Sequence, residues 1–149
     1  MKLTLLTIGK AKGTEAEWCA EYVKRLKLDV VIKELAAPKS LPAAETQKHE
    51  ADLLIKNIPP KSFVIVLDEH GKDLTSRELA AKMESWQTHH HLTFVIGGAD
   101  GLTDDIKQRS NFTLGFGRAT WPHRLVRVML LEQLYRAQQI NVGHPYHRD

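Results

Sequence analysis

The feature that most constrains the fold of this chain is a regular alternation of strand-like and helix-like segments from one end to the other. Short apolar runs at residues 3–8 and 62–67 predict strands, the second of them buried on both faces. Residues 125–140 carry apolar side chains three and four positions apart, which predicts a long helix with one buried face. Strand followed by helix throughout predicts an α/β domain with a largely parallel sheet and helices on both faces.

Helix starts are marked by two capping-box patterns, in which a threonine is followed three positions later by a glutamate. Thr14 with Glu17 predicts a first helix whose buried face includes Trp18. Thr75 with Glu78 predicts another helix further along the chain. The remaining predicted elements are strands at 30–35, 92–96 and 111–116 and a helix at 43–58. No linker, repeat or low-complexity segment interrupts the series, so residues 1–149 are expected to form a single domain.

Composition and charge exclude several classes of protein. Hydrophobic residues make up 42% and charged residues 26% of the chain, which are values of a globular domain. No apolar run approaches the roughly 20 residues that span a bilayer. The single Cys19 excludes an intramolecular disulfide, and together with the lack of a signal peptide it predicts a cytoplasmic protein. A net charge of +3 permits a polyanionic partner without requiring one.

Three predicted loops follow strands at the edge where open parallel sheets bind ligands. Their sequences are DEHGKD at 68–73, GGADGLT at 97–103 and GRATWPH at 117–123. Gly97 and Gly98 favour either a ligand close to the backbone or a tight turn capped by Thr103, and the pattern alone leaves both open. The glycine spacing matches neither a dinucleotide-binding fingerprint nor a P-loop.

Two arginines stand out after the third loop. Arg124 and Arg127 fall on the first turns of the predicted long helix, where a cation opposes the helix dipole by a few tenths to about 1 kcal/mol. An anionic ligand would account for cations at these positions. The neighbouring Trp121 and Pro122 are suited to forming the wall of a pocket.

Histidines occur in two clusters, neither of which predicts a metal site. Residues 89–91 are three adjacent histidines, expected to lie in a solvated loop because adjacent side chains do not converge on one ion. The terminal HPYHRD, residues 144–149, carries His144 and His147 without a carboxylate partner in a metal-binding pattern. Composition leaves this segment open between a tail docked on the domain and a tail facing a substrate.

Four separated motifs then agree in order and spacing: VLDEHGK, FVIGGADGL, TWPHRLVRVMLLEQLYRAQQI and HPYHRD. Together they resemble the RlmH (YbeA-like) family of SPOUT methyltransferases over essentially the whole chain. The resemblance implies a homodimer with a parallel α/β sheet whose C-terminal part forms a deep trefoil knot. It also implies S-adenosylmethionine (SAM)-dependent methylation of N3 of a pseudouridine in helix 69 of 23S rRNA, on the assembled 70S ribosome.

Carried over position by position, the resemblance places the cofactor against the same three loops. The implied cofactor-binding residues are Leu67, Gly98 and the six residues of the third loop, Gly117, Arg118, Ala119, Thr120, Trp121 and Pro122. The third loop departs from the family pattern, because Gly115 and Gly117 stand where the family often has serines. Cofactor contacts through backbone atoms tolerate this change, whereas contacts through serine hydroxyls do not.

The terminal segment is the richest source of acid–base side chains for this reaction. We expect His147 to accept a proton, Arg148 to stabilise an anionic base or a phosphate, and Tyr146 to stack or hydrogen-bond, all from the partner subunit. Arg124 and Arg127 are candidate RNA contacts, with the dimer interface as the alternative for Arg127. No metal is required. Two other functions stay open: a non-catalytic nucleotide- or RNA-binding module, and a methyltransferase of the same fold for another RNA.

Overall fold

The computed structural model describes all 149 residues, which form five strands, five α-helices and a short 3₁₀ turn at Gln87–His89. The strands are β1 (Lys2–Ile8), β2 (Asp29–Leu35), β3 (Phe63–Asp73), β4 (His91–Ile96) and β5 (Phe112–Gly115). The helices are α1 (Gly13–Arg25), α2 (Ala43–Asn57), α3 (Ser76–Trp86), α4 (Asp104–Arg109) and α5 (His123–Asn141). All strand pairs are parallel, in the order β2-β1-β4-β3-β5, which confirms the predicted α/β class.

Both faces of the sheet are covered, because successive strand residues point to opposite sides. Val64 and Val66 belong to a smaller core beneath α2 and α4. Ile65 and Leu67, one position along, belong to a larger core beneath α1, α3 and α5. Burial on both faces explains why strands β3 and β4 appear in the sequence as continuous apolar runs. No helix has the length and apolarity needed to cross a membrane.

The capping prediction is confirmed at one helix and wrong at the other. At α3, Thr75 Oγ1 accepts the Glu78 N–H at 3.2 Å and Glu78 Oε2 accepts the Thr75 N–H at 2.7 Å. Helix α1 instead begins at Gly13, and its N-cap residue Lys12 makes no side-chain capping bond. The helix starts two residues earlier than the Thr14 pattern requires, because a Thr14 N-cap would make residue 15 the first helical residue. Trp18 is 51% exposed, so its predicted place in the core is wrong as well.

Strand β3 runs well beyond its predicted end and changes register on the way. Leu67 and Lys72 both pair with Leu114 of β5, so residues 68–71 form an extra excursion in the strand. The chain can return to β5 because residue 71 is a glycine: a Cβ on Gly71 would lie 2.6 Å from the backbone carbon of Leu114. This excursion places the DEHGKD segment at the carboxyl edge of the sheet.

The segment after β5 crosses the carboxyl edge of the sheet. Strand β5 lies at one edge and β2 at the other, yet α5, which follows β5, begins against the ends of β1 and β2. Arg127 of α5 contacts Thr7 and Gly9 at the end of β1 and Glu34 near the end of β2. Residues 116–122 therefore pass over the ends of the intervening strands before the helix starts.

Candidate active site

A cavity of about 620 Å³ lies at the carboxyl edge of the sheet, where the three predicted loops meet. This volume is in the range of small-molecule binding sites. Its walls include seven of the eight residues predicted to bind the cofactor: Leu67, Gly98, Gly117, Ala119, Thr120, Trp121 and Pro122. The eighth, Arg118, is exposed and does not line the cavity. The rule that open parallel sheets bind ligands at the carboxyl ends of their strands therefore predicted the position of the cavity from the sequence.

Polar contacts hold the first loop to its neighbours. Asp68 pairs with Lys107 of α4 at 3.5 Å, with only 14% of the Asp68 side chain exposed. Thr120 Oγ1, from the third loop, donates to Glu69 Oε2 at 3.1 Å. Asp68 therefore holds the first loop to α4, and Glu69 holds it to the third loop.

The second loop is packed tightly from behind by a buried carboxyl group. A Cβ on Gly98 would lie 2.9 Å from Glu50 Oε1 and 3.1 Å from Ile8 Cγ2, so the backbone approaches these groups closely. Glu50 is 8% exposed, and its Oε1 has no hydrogen-bond partner. Burial, assisted by the charge of Asp100, raises the pKa of Glu50.

The second loop also leads into α4 through Thr103. This residue occupies the N-cap position, but its hydroxyl is buried and makes no hydrogen bond. The sequence left open a ligand-binding loop and a turn capped by Thr103. The structure has the turn, without the capping hydrogen bond, and it has the cavity beside Gly98.

The third loop uses glycines for a geometric reason. Gly117 has a φ of +89°, a conformation in which a serine would be strained, and its N–H donates to Asp73 Oδ1 at 2.8 Å. A Cβ on Gly115 would lie 2.8 Å from the same Asp73 oxygen. Trp121 Nε1 donates to the Phe116 carbonyl at 2.9 Å, which closes the loop on itself. The two departures from the serine pattern are therefore adapted to the local backbone of this chain.

His123 also lines the cavity, although sequence analysis did not single it out. A Cβ on Gly9 would lie 3.5 Å from its Nε2 atom, which places the ring against the β1–α1 loop. Burial lowers the pKa of His123, and the nearby Arg124 and Arg127 lower it further. The ring therefore favours the neutral form, which can accept a proton. The TWPH motif was the available signal, because it places this histidine directly after the loop.

Arg127 is a structural residue, and the prediction that it contacts RNA is wrong. It is 2% exposed, and its Nη1 donates to Glu34 Oε2 at 2.7 Å. Its Nη2 donates to Thr7 Oγ1 at 2.7 Å and to the Gly9 carbonyl at 2.9 Å. Spacing along a helix could not separate it from Arg124, because only the packed structure decides which arginine points inward. Arg124 is exposed, as an RNA contact requires.

The terminal segment is ordered and docks on its own subunit. Tyr146 donates its hydroxyl to Glu132 Oε1 at 3.1 Å, and its ring meets Tyr135 edge-on with centroids 4.8 Å apart. The Arg136 guanidinium lies 4.8 Å from the centroid of the Tyr146 ring. Burial, together with the hydrogen bond to Glu132, raises the pKa of Tyr146 to about 12, so its hydroxyl is a donor at neutral pH.

The last three residues continue this docked arrangement. His147 Nδ1 lies 3.2 Å from Arg136 Nη1, and its Nε2 lies 3.0 Å from Asp149 Oδ1. Asp149 also pairs with Arg77 of α3 at 2.6 Å, and the hydrogen bonds from Arg77 lower the pKa of Asp149 to about 2. Arg148 is exposed. No group of three or more His, Cys, Asp or Glu side chains is arranged to hold a metal ion.

Within one chain, the tail and the cavity at the strand ends are separate. None of Tyr146, His147 and Arg148 lines the cavity. The tail lies instead beside a second, more apolar cavity of about 650 Å³, which Glu132 borders. The second cavity lies between α1, α5 and the β5 end and shares Leu114, Phe116 and Gly117 with the wall of the first.

Comparison with known proteins identifies close relatives over the full length of the chain. The sequence model of a family described as "Predicted SPOUT methyltransferase" matches residues 1–147. A protein of Rhodospirillum centenum named ribosomal RNA large subunit methyltransferase H is 44% identical over 151 residues, covering 99% of each chain. A Neisseria meningitidis protein of the same name is 44% identical over 156 residues and covers 100% of each chain.

Solved structures with much lower identity share the fold. A probable methylase family protein from Haemophilus influenzae superimposes with a TM-score of 0.58 at 15% identity, covering 99% of this chain and 70% of that one. A putative methyltransferase from Legionella pneumophila, solved with bound SAM, superimposes with a TM-score of 0.53 at 11% identity. That match covers 92% of this chain and 66% of the other.

Proposed function

We propose, from the premise that the chain belongs to the SPOUT methyltransferase family, that it transfers a methyl group from SAM to RNA of the large ribosomal subunit. In its finer form, the proposal names N3 of a pseudouridine in helix 69 of 23S rRNA, methylated on the assembled 70S ribosome in the cytoplasm. The observation that carries it is the cavity at the junction of three strand-end loops, in a chain whose full-length relatives are named as large-subunit RNA methyltransferases.

The residues around the cavity fit SAM. Apolar side chains such as Leu67, Ile96 and Val126 form a wall for an aromatic base, and the strand ends offer backbone donors and acceptors. Gly98 and the backbone from Gly117 to Pro122 are the groups that would hold the cofactor. When bound, SAM supplies an electrophilic methyl group on a sulfonium.

The chain's own residues must then remove the proton from N3. The imide N3 of pseudouridine is protonated at neutral pH and becomes a good nucleophile only when that proton is removed. We assign proton acceptance to His147, stabilisation of the resulting anion or of a phosphate to Arg148, and stacking or hydrogen-bond donation to Tyr146. His123, held neutral in the cavity wall, is a second group able to accept a proton.

A homodimer completes this site, because the tail of one chain lies outside its own cofactor cavity. In a two-fold dimer each surface patch meets its own copy, so a tail that contacts Glu132, on the wall of the cavity that Phe116 and Gly117 also line, can face the partner's third loop. The exposed Trp18, 51% accessible on α1, and the neighbouring apolar lining from α5 supply a surface for such a contact.

The deep trefoil knot is part of the same proposal. Its support is the passage of residues 116–122 from β5 over the sheet edge to the ends of β1 and β2. A chain that crosses the sheet in this way before entering α5 has the course that threading through an earlier loop requires.

The decisive experiment tests the substrate. Ribosomal RNA from a strain lacking this gene should lack one methyl group on a helix 69 pseudouridine by mass spectrometry, and expression of this protein should restore it. A restored methyl on another RNA would favour a methyltransferase with a different target. Calorimetry with SAM tests the non-catalytic alternative, because a chain that does not bind SAM is not this enzyme.

The tail assignment is tested by separate His147→Ala and Arg148→Ala variants. Both should lose methyl transfer while keeping SAM affinity, since neither residue lines the cofactor cavity. Full activity in both variants would remove the tail from the mechanism.

Mixing subunits tests whether the site is shared between chains. A cofactor-site variant with an intact tail, mixed with His147→Ala, should recover about a quarter of native activity, because random pairing gives one complete site in half of the dimers. If each chain completes its own site, the mixture stays inactive.

A further inference from the structure

The β1–α1 loop, residues 9–12, lies against His123, which lines the cofactor cavity. Gly9 lies against the His123 ring, whose Nε2 is 3.5 Å from the position of a Cβ on that glycine. The Gly9 carbonyl accepts a hydrogen bond from Arg127 Nη2 at 2.9 Å. Because His123 lines the cavity, the loop that touches it lies next to the cavity wall without forming part of it.

Three exposed cations lie on this loop and on the first turn of α5. Lys10 and Lys12 lie on the loop, and Arg124 follows His123 directly. None of the three takes part in any ion pair of the structure. We call Lys10, Lys12 and Arg124 the basic rim.

The carboxylate that attracts Lys10 is already engaged. Glu34 Oε2 accepts the Ala11 N–H at 2.7 Å and Arg127 Nη1 at 2.7 Å. Its negative charge is therefore matched by the buried guanidinium. Glu15 adds one further carboxylate near His123, so the three cations of the rim exceed it by two positive charges, which are left for a ligand from outside.

The lining of the cavity itself carries carboxylates. Asp68 and Glu69 lie on the first loop and Asp100 on the second, and all three line the cavity. Asp68 is paired with Lys107, whereas Glu69 and Asp100 disfavour a polyanion at the lining and the basic rim favours one beside it.

We infer that the basic rim binds phosphate groups of the RNA strand that carries the target nucleotide, and so delivers the base to the cavity from the β1–α1 side. This inference rests on the proposed function and deepens it. Phosphate contacts fix the position of a nucleic acid, while the reacting base is chosen by the pocket. Arg124 is a cation on the first turn of a helix, where the dipole disfavours it, and an RNA phosphate compensates for that cost.

The ion pair between buried Arg127 and partly exposed Glu34 positions the rim. One carboxylate of Glu34 binds the loop through Ala11 and the helix through Arg127, so the loop and α5 are held in a constant relation. A surface loop without such anchors would lose conformational freedom on binding RNA, and that loss weakens affinity. The pair therefore acts on RNA binding through the rim without touching RNA.

The test replaces the rim charges by neutral side chains of similar length, in the triple variant Lys10→Gln/Lys12→Gln/Arg124→Gln. The matched control is Lys39→Gln/Lys48→Gln/Lys56→Gln, which removes three exposed cations that also make no ion pair but lie in or just before α2. Each is assayed with radiolabelled SAM and ribosomes that lack the methyl group, and by calorimetry with SAM alone.

The rim variant should raise KM for ribosomes about tenfold or more at moderate salt, with little change in kcat or in the Kd of SAM. For the rim variant, the slope of log kcat/KM against log salt concentration should be shallower by about 2 to 3, because each phosphate contact contributes about 0.7 to 0.9 to that slope. The control should stay within about twofold of the native protein. An unchanged KM in the rim variant, or an equal effect in the control, overturns the inference.

Co-sedimentation with ribosomes separates failure of this inference from failure of the proposed function. If the native protein transfers no methyl, the proposed activity is wrong, and loss of ribosome binding in the rim variant alone still supports the surface. Equal ribosome binding by all three proteins overturns the surface whatever the activity. Rim-dependent binding to phosphatidylserine vesicles, with no rim-dependent binding to ribosomes, also overturns it in favour of a membrane.

Discussion

Removal of the Arg127 guanidinium should destabilise the domain by about 3 kcal/mol, near the lower end of what breaking a buried ion pair costs. Arg127 is 2% exposed and makes three polar contacts of 2.7 to 2.9 Å. Arg127→Met keeps most of the side-chain length and removes all three. The Thr7 hydroxyl and the Gly9 carbonyl then lose a donor, at about 1 to 3 kcal/mol for each buried group left unsatisfied.

Glu34 keeps this cost from being larger. Its side chain is 31% exposed, so water can solvate the carboxylate once the arginine has gone. Glu34→Gln should cost about 1 kcal/mol, because Arg127 keeps its bonds to Thr7 and Gly9 and an amide oxygen can still accept. The double variant should cost less than the sum of the single changes, with a coupling of about 1 kcal/mol or more.

The pair should also give stability a defined dependence on acid. Burial favours the neutral form of Glu34, but hydrogen bonds from Arg127 and the Ala11 N–H, with the charges of Arg127 and Lys10, outweigh it and lower the pKa. Because the pKa of Glu34 is lowered in the folded state, its contribution to stability is present above the ordinary pKa of about 4.3. That contribution is lost as the pH falls through the lowered pKa. In Arg127→Met this acid-dependent loss should shrink.

The assay is equilibrium unfolding in urea, followed by circular dichroism at a constant protein concentration, because the proposed dimer would link stability to concentration. With a slope of about 2 kcal/mol/M, the expected loss lowers the midpoint by about 1.5 M. A change below about 1 kcal/mol for Arg127→Met, or strict additivity in the double variant, would refute a buried and coupled pair.

Three other changes test separate parts of the site. Gly71→Ala places a Cβ 2.6 Å from the Leu114 backbone. We expect the free energy of unfolding to fall by about 2 kcal/mol, the thermal midpoint to fall by roughly 4–8 °C, and SAM binding to weaken by calorimetry. An unchanged midpoint would contradict this. Burial, with a smaller effect of Asp100, raises the pKa of Glu50. The contribution of Glu50 to the stability of the fold is therefore present below pH about 4.3 and is lost as the pH rises through the raised pKa. Glu50→Gln should therefore be the more stable protein at neutral pH, by about 1 kcal/mol in urea, and native protein that is the more stable would contradict it. Tyr146→Phe should remove a phenolate absorbance step near pH 12, because burial and Glu132 raise the pKa of this hydroxyl to about 12; loss of a step near 10 instead would argue against a docked tail.

Features that depend on neighbours along the chain were predictable. The alternation of apolar runs and amphipathic segments yielded the five strands, and the parallel sheet followed from their order. The Thr75–Glu78 capping box formed because both partners lie within one turn. The same pattern at Thr14 failed because Gly13, one residue earlier, starts α1 and leaves Thr14 inside the helix.

The cavity was predictable in position but not in detail. Parallel strands carry their carboxyl ends to one edge, so Leu67, Gly98 and the third loop had to lie near one another. Register is a different matter: the excursion at 68–71 depends on how β3 and β5 pair, and the sequence of either strand alone does not determine that. Glu50 was missed for the same reason, since it comes from α2 and meets Gly98 only through the packing of that helix on the sheet.

By itself, the sequence determined the α/β class, the three loops at the ligand-binding edge and the chemical character of the tail, because each of these depends on residues close together in the chain or on a general rule of strand direction. The tertiary structure alone decided that Arg127 is buried while Arg124 is exposed, that Trp18 stands outside the core, and that the tail docks away from its own cavity. These outcomes depend on which surfaces meet across separations of up to 120 residues, as in the bond from Arg127 to Thr7. Burial and charge pairing at that range are set by packing, to which local pattern has no access.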